Sequence, residues 1–198
     1  MKTFITTAII GAIAVTSSFA LEVGKAAPAF TAKTAKGTEV SLADYKDKVV
    51  VLEWLNFECP FIKKHYSSKN MQNLQAAYAE KGVIWLSVNS TAEGKHGYLE
   101  AAKLAEKATA EGSKATEILV DTDGKIGKAF DAKVTPHMMI IGKDGKLAYS
   151  GAIDSSPSVK AEDVATAEKT FANALDAVLA GKEVTNATNK PYGCGVKY

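Results

Sequence analysis

The amino-acid sequence predicts an α/β protein with a central mixed sheet flanked by helices. Short apolar runs rich in β-branched residues, typical of buried strands, alternate along the chain with longer segments of helical composition. Later in the chain, two further apolar runs flank an Asp-Gly turn, which is typical of an antiparallel hairpin. The alternation implies right-handed crossovers and a parallel core, and the hairpin adds antiparallel strands at one side.

The first twenty residues have the features of a secretory signal peptide. Lys2 gives a short positive region, and the apolar stretch 5–15 that follows is too short for a comfortable membrane span. The tripeptide Ser-Phe-Ala at 18–20 has small residues at the two positions that a signal peptidase reads. We therefore predict cleavage after Ala20 and a periplasmic or secreted protein, with an uncleaved membrane anchor as the alternative.

The predicted domain spans residues 21–180. Short apolar pieces separated by turn signals fill residues 21–48. The predicted elements that follow are a strand at 49–54, a helix from 60 to about 81, a strand at 83–88, a helix at 99–110, a strand at 116–120, a short helix at 126–130, hairpin strands at 138–141 and 147–150, and a helix at 165–179. Residues 181–198 show no strong periodicity and are predicted to form a flexible C-terminal tail that carries Cys194.

The composition fits one globular domain, with 46% hydrophobic and 23% charged residues. The formal net charge is +2 and the charges are interspersed, which argues against a nucleic-acid partner. We expect no membrane association once the signal peptide is removed. The whole sequence contains no arginine and two cysteines, Cys59 and Cys194. In an exported protein, two distant cysteines fit either a redox pair or one structural bridge.

Cys59 follows the apolar run 49–54 and directly precedes Pro60, which opens a predicted helix. A thiol at a helix N-terminus faces unpaired backbone N–H groups and the positive end of the helix dipole. Both favour the thiolate, which is the nucleophilic form of cysteine. The alternative is a buried, inert thiol.

Three segments of the chain, taken together, indicate a family. The stretch 51–60 (Val-Leu-Glu-Trp-Leu-Asn-Phe-Glu-Cys-Pro) and the later stretch 134–136 (Val-Thr-Pro) resemble the active-site strand and turn and the cis-proline loop of the thioredoxin-like superfamily, in the order found there. The lead-in 23–30 (Val-Gly-Lys-Ala-Ala-Pro-Ala-Phe) is similar to the start of redoxins and of AhpC/TSA-type peroxiredoxins. The tail 191–198 (Pro-Tyr-Gly-Cys-Gly-Val-Lys-Tyr) resembles that of a peroxiredoxin-like group of exported proteins.

This resemblance implies that Cys59 is the catalytic nucleophile. The superfamily places a second cysteine three residues later, where this chain has Ile62. Cys194, 135 positions after Cys59 (194 − 59), is therefore the only intramolecular partner. Three interpretations stay open for it: a resolving cysteine brought in by the tail, half of a static disulfide, or a thiol without a role at Cys59.

The resemblance also implies roles for other residues. Pro136 is expected to be cis, and Thr135 to present its backbone to a substrate chain. Glu53 is expected to be either a buried carboxyl that relays a proton or a carboxylate paired with a lysine at the domain edge. Asn56 stands where peroxiredoxins have a threonine and is a candidate substrate contact.

The remaining basic residues near the site receive weaker interpretations. Lys63, Lys64 and His65 are expected to form a solvated helix face, with stabilisation of the thiolate as the alternative. His137 could point toward the active site, whereas His96 is expected to be merely exposed.

The sequence therefore favours an exported thiol–disulfide oxidoreductase without a cofactor. Its expected partners are a protein thiol or disulfide substrate and an external thiol reductant, while its oligomeric state stays open. The first alternative is a peroxiredoxin-like peroxidase, weakened by Asn56 and by the missing arginine, because lysine cannot replace arginine as a planar donor. A Cu(I)-binding or delivery module using Cys59, His137 and Cys194 and a binding module that has lost activity are further alternatives.

Overall fold

The computed structural model describes residues 21–198, so the predicted signal peptide lies outside the described residues. Nine strands are present in this part of the chain: β1 Thr31–Thr34, β2 Glu39–Ser41, β3 Val50–Trp54, β4 Ile84–Asn89, β5 Glu117–Val120, β6 Val134–Thr135, β7 Met138–Ile141, β8 Leu147–Gly151 and β9 Cys194–Gly195. The α-helices are α1 Pro60–Ser67, α2 Asn70–Ala79, α3 Ala101–Ala110, α4 Lys125–Ala129 and α5 Thr170–Leu179, with 3₁₀ turns at Leu42–Tyr45 and Ala161–Ala165.

Seven strands form one mixed sheet in the order β2-β1-β5-β4-β3-β7-β8. The central strands β3, β4 and β5 run parallel, and the β7–β8 hairpin and the β1–β2 hairpin add antiparallel strands on either side. This confirms the predicted mixed sheet and its parallel core. Strands β6 and β9 form a separate antiparallel pair.

Strand β3 is buried over its whole length because the sheet is covered on both faces. Val51 belongs to the core on one face, together with Trp85 and Phe171. Leu52 and Trp54 belong to the core on the other face. The strand therefore ends within a fixed scaffold, and this fixes the position of the turn that carries Cys59.

The predicted helix from 60 to about 81 is wrong in one respect, because the structure divides it into α1 and α2. Lys69 between them adopts a left-handed conformation with φ 61°. The break turns Gln72 inward, where its amide donates to the backbone oxygens of Tyr66 and Glu111 at 3.0 and 2.8 Å. Satisfying these carbonyls offsets the cost of the left-handed residue.

Two further segments differ from the prediction. The last helix begins at Thr170 rather than 165, because Ala161–Ala165 forms a separate 3₁₀ turn. The tail was predicted to be flexible, whereas in this structure it is docked and contributes β9. A two-residue strand made of Cys194 and Gly195 has too little periodicity to be read from sequence. Across residues 21–198 no helix is both long and apolar enough to cross a membrane.

Candidate active site

Cys59 lies at the N-terminus of α1, directly after the turn that follows β3. Its backbone is extended, with φ −71° and ψ 124°, and Pro60 occupies the first helical position, where its missing N–H costs nothing. Cys59 is 3% exposed, and its Sγ lies 3.0 Å from the carbonyl oxygen of Thr135. The predicted strand–Cys–helix arrangement is therefore present.

Two opposing effects act on the Cys59 thiol. Burial raises its pKa, but hydrogen bonds from the side chain of Thr135, from the thiol and backbone of Cys194, and from the backbone of Ile62 lower it. The hydrogen bonds prevail, so the pKa of Cys59 lies below its ordinary value of 9.0. The site therefore favours the nucleophilic thiolate.

Cys194 is brought to Cys59 by β9. In the β6–β9 pair Cys194 stands opposite Thr135, whose carbonyl oxygen contacts the Cys59 thiol. Burial and the neighbouring Cys59 raise the pKa of Cys194 to about 11, so this thiol stays protonated as a hydrogen-bond donor. Both cysteines are free in this structure.

The Thr135–Pro136 peptide bond is cis, as the sequence predicts. The expectation that Thr135 offers its backbone to a substrate chain needs a correction for this structure, since the chain's own β9 pairs with Val134 and Thr135. The docking edge is therefore occupied by the segment that carries Cys194.

Asn56 lines the site, but its polar atoms are used to hold loops together. Its amide nitrogen donates to Thr91 Oγ1 and to the His96 carbonyl, both at 3.1 Å. Its Oδ1 accepts from the Glu58 backbone N–H at 2.9 Å, and its carbonyl accepts from the Cys59 N–H at 3.0 Å. The hydrogen bonds of Asn56 thus shape the turn around Cys59.

Glu53 is fully buried within the sheet, and the expected pairing with a lysine at the domain edge is wrong. Its Oε2 accepts hydrogen bonds from Gln75, Trp85 and Ser87 at 3.1, 2.8 and 2.8 Å, while Oε1 has no partner. Burial raises the pKa of Glu53, and the three donors oppose this rise. The hydrogen bonds of Glu53 go to these core side chains rather than to either thiol.

The predicted solvated face of α1 holds only for Lys63, which is exposed. Lys64 and His65 are buried, which contradicts the expectation for both. Lys64 Nζ donates to the Ser156 carbonyl at 2.8 Å and lies 3.9 Å from Asp154 Oδ2. His65 Nε2 lies 3.2 Å from the hydroxyl of Tyr192, and burial lowers the His65 pKa to about 4. Sequence reasoning missed Asp154 and Tyr192, because nothing near them in the chain indicates this contact.

The two other histidines differ in their surroundings. His137 is buried and both of its ring nitrogens have partners, the Lys133 N–H at 3.4 Å and Ser150 Oγ at 3.1 Å. Burial lowers the His137 pKa to about 4. His96 is exposed, as expected. Within residues 21–198, no group of three or more His, Cys, Asp or Glu side chains is arranged to hold a metal ion.

A cavity of about 100 Å³ opens beside the Cys59 thiol. The turn that holds Cys59 forms one wall and the tail from Cys194 to Lys197 forms another. Asn56, Thr91 and His96 also line it. This volume is a small fraction of the roughly 300–1,000 Å³ of sites that hold drug-sized ligands.

Residues 23–150 match the family model of the AhpC/TSA family. The chain belongs to the AhpC/TSA family. With this family match and its observed sheet, the chain has the thioredoxin-like fold that the sequence predicted.

The individual proteins named below share 25–28% of their residues with this chain in the matched regions. The chain is 28% identical over 129 residues to the thiol–disulfide oxidoreductase ResA of Bacillus thuringiensis, covering 64% of this chain and 68% of that protein. It resembles the crystal structure of an uncharacterized conserved protein from Geobacillus kaustophilus with a TM-score of 0.77 and 28% identity, covering 90% and 93% of the two chains. A thiol:disulfide interchange protein DsbE from Chlorobium tepidum gives a TM-score of 0.52 at 25% identity, covering 66% and 85%.

Proposed function

We propose that this protein is an exported thiol–disulfide oxidoreductase in which Cys59 is the nucleophile and Cys194 is the resolving cysteine. One observation carries the proposal: β9 places Cys194 opposite Thr135, whose carbonyl oxygen lies 3.0 Å from the Cys59 Sγ. Family membership and the likeness to ResA make the chain an oxidoreductase that acts on thiols or disulfides.

The proposed cycle has two exchange steps. The Cys59 thiolate attacks one sulfur of a substrate disulfide, forms a mixed disulfide with it and releases the other sulfur as a thiolate. Cys194, after losing its proton to this leaving group or to solvent, attacks Cys59 and releases the second substrate thiol. An external thiol reductant then returns the Cys59–Cys194 disulfide to two thiols.

The different pKa values of the two cysteines suit this order of events. Cys59 has the lower pKa and therefore attacks first and leaves readily, whereas Cys194 is kept protonated until the mixed disulfide forms. Thr135 and Asn56 contribute by holding the thiol pair and the turn around it. Glu53 enters the proposal as a buried carboxyl on the strand that leads to Cys59, without a direct contact to either thiol.

A peroxidase cycle is the second candidate, favoured by the family match and by the small cavity at Cys59. Peroxide would oxidise Cys59 to a sulfenic acid with release of water or an alcohol, and Cys194 would condense with it to a disulfide, releasing water. The chain has no arginine to polarise the peroxide. We therefore expect this activity to be the slower one. The engaged ring nitrogens of His137 give no support to the copper alternative.

Thiol release by single-cysteine variants tests the proposal. The purified protein is reduced, freed of the reductant and mixed with an excess of bis(2-hydroxyethyl) disulfide, and the thiols released per protein molecule are counted. The wild type should release two thiols, Cys194→Ser should release one and keep a mixed disulfide at Cys59, and Cys59→Ser should release none at the wild-type rate. Release at the wild-type rate by Cys59→Ser would refute the assigned nucleophile, and release of two thiols by Cys194→Ser would refute the assigned resolving role.

Export is the remaining part of the proposal. It depends on the signal-peptide features of residues 1–20 and places the protein in the periplasm or outside the cell. Mass spectrometry of the protein isolated from its own cells is expected to give an N-terminus at Leu21.

A further inference from the structure

We propose that the docked tail makes Cys59 selective for small disulfides by excluding extended polypeptides from the strand edge beside it. This inference rests on the proposed function, because it concerns which oxidant reaches the Cys59 thiolate. It starts from the pairing of β9 with β6, in which Cys194 and Gly195 stand opposite Thr135 and Val134. An extended peptide that docks by adding a strand needs a free strand edge. Here the chain itself fills the edge that faces Cys59.

The tail is anchored on the N-terminal side of Cys194 by Tyr192. The Tyr192 hydroxyl donates to the buried carboxylate of Asp154 and lies 3.2 Å from His65 Nε2. Its ring packs against Phe61 of α1, with 5.6 Å between the ring centroids. Asp154 and His65, the latter expected from the sequence to be solvated, thus form the receptor for this anchor.

The tail is anchored again on the C-terminal side of Cys194. The Val196 N–H donates to the Lys133 carbonyl at 3.1 Å, and the Lys197 carbonyl accepts from Ala92 N–H at 2.8 Å. The hydroxyl of Tyr198 donates to the Ala132 carbonyl at 3.0 Å. With anchors on both sides, Cys194 is held across Cys59 much as a bound substrate cysteine would be.

Gly193 lets the tail approach this closely. Its φ of 148° is rarely adopted by residues with a side chain, and a Cβ would lie 2.7 Å from the Thr135 carbonyl carbon and closer still to its oxygen. On the other side of Cys194, a Cβ on Gly195 would meet nothing within 4 Å. Alanine at 193 should therefore displace β9, whereas alanine at 195 should leave it docked.

The docked tail leaves access for small molecules only. The cavity at Cys59 measures about 100 Å³, and the tail forms one of its walls. Cys59 itself is buried. A low-mass disulfide can bring one sulfur into this cavity, whereas a polypeptide disulfide must first displace β9.

The test compares two disulfides that share the same small thiol, in a Cys194→Ser background that isolates the first exchange step. One is bis(2-hydroxyethyl) disulfide. The other is the peptide of residues 189–198, with its cysteine in a mixed disulfide with 2-mercaptoethanol. The quantity measured is the ratio of the two second-order rate constants for loss of the free Cys59 thiol, peptide over small disulfide.

Gly193→Ala is expected to raise this ratio about tenfold, a change of about 1.4 kcal/mol in relative barrier. Lys190→Ala, at an exposed position of the tail outside the lining of the cavity at Cys59, is the control and should keep the ratio of the parent. Tyr192→Phe removes the hydroxyl anchor but keeps the ring, so it should raise the ratio by a smaller factor and serves if Gly193→Ala does not fold. An unchanged ratio in the folded variants, with Cys59 reactive toward both disulfides, overturns the selectivity alone. A Cys59 that reacts with neither disulfide in any variant overturns the proposed function as well.

Discussion

At Cys59, burial and hydrogen bonding act on the thiol in opposite directions, and hydrogen bonding prevails. The helix N-terminus alone does not explain this balance, because the donors include Thr135 from the cis-proline loop and Cys194 from the tail. The nucleophile is therefore activated by groups that lie far from it in sequence. Removing one of these hydrogen-bond donors should raise the pKa of Cys59 measurably.

Cys194→Ala should raise the pKa of Cys59 toward 9.0, because the thiolate loses a hydrogen bond from the Cys194 thiol. The alkylation rate of Cys59 by iodoacetamide at pH 7 should fall by up to about tenfold, because a smaller fraction of Cys59 is then thiolate. The measurement is the pH profile of this rate, followed by mass spectrometry. Cys194→Ser keeps a hydroxyl donor and should give an intermediate profile. Superimposable profiles for all three proteins would contradict the assigned hydrogen bond.

Glu53 should make the stability of the fold depend on pH. Because burial raises its folded pKa above the ordinary 4.5, its stabilising contribution is complete below about pH 4.5 and is lost as the pH rises through the folded pKa. Glu53→Gln keeps an acceptor for Gln75, Trp85 and Ser87 but carries no charge. Its free energy of unfolding should exceed that of the wild type by on the order of 1 kcal/mol at neutral pH.

Urea unfolding of Glu53→Gln between pH 4 and pH 8 checks this prediction. The gain should shrink as the pH is lowered toward 4. Glu58→Gln, at an exposed position near the start of α1, is the control and should change stability by less than about 0.5 kcal/mol. A gain that is the same at every pH would exclude ionisation of Glu53 as its source.

At the scale of secondary-structure elements, buried Lys64 holds helix α1 against the segment that contains Asp154 and Ser156. Lys64 contacts Ser156 and lies 3.9 Å from Asp154, and both charged side chains are buried. Removing one partner of a buried pair leaves an uncompensated charge, so Lys64→Met should cost about 3–5 kcal/mol of stability. Lys63→Met on the same helix removes an exposed pair with Glu58 and should cost at most about 1 kcal/mol.

Urea denaturation of the two variants distinguishes these values. Adding Asp154→Asn to Lys64→Met should recover part of the loss, because the unpaired carboxylate is then gone. Equal losses in Lys63→Met and Lys64→Met would contradict the buried pair.

The elements differ in how far the sequence predicts them. Strand β3 and the Cys59 turn were predictable, because a continuous apolar run that ends at Cys-Pro is a local pattern. The burial of Lys64 and His65 was not, since it depends on Asp154 and Tyr192, about 90 and 130 positions away in the chain. The break at Lys69 likewise depends on Gln72 finding buried carbonyls in tertiary structure. Local patterns thus predict helices and strands, whereas the burial of polar side chains depends on partners that are distant in sequence.

At the scale of the whole molecule, the docked tail brings the C-terminal residues beside the turn that carries Cys59. A disulfide between Cys59 and Cys194 would close a loop of about 135 residues, for which the loop-entropy model gives a stabilisation of about 5 kcal/mol as an upper guide. Oxidation would then stabilise the fold and close the active site in the same event. Whether these two thiols pair reversibly is therefore the central question.

Thiol mapping after equilibration in glutathione buffers of graded redox potential answers it most directly. The purified protein is acid-trapped, alkylated and analysed by mass spectrometry, with peptide mapping of both cysteines. We predict one intramolecular Cys59–Cys194 disulfide that forms and disappears reversibly across the series. Two thiols that stay free even in the most oxidising buffer, or a disulfide found only between molecules, would contradict this account.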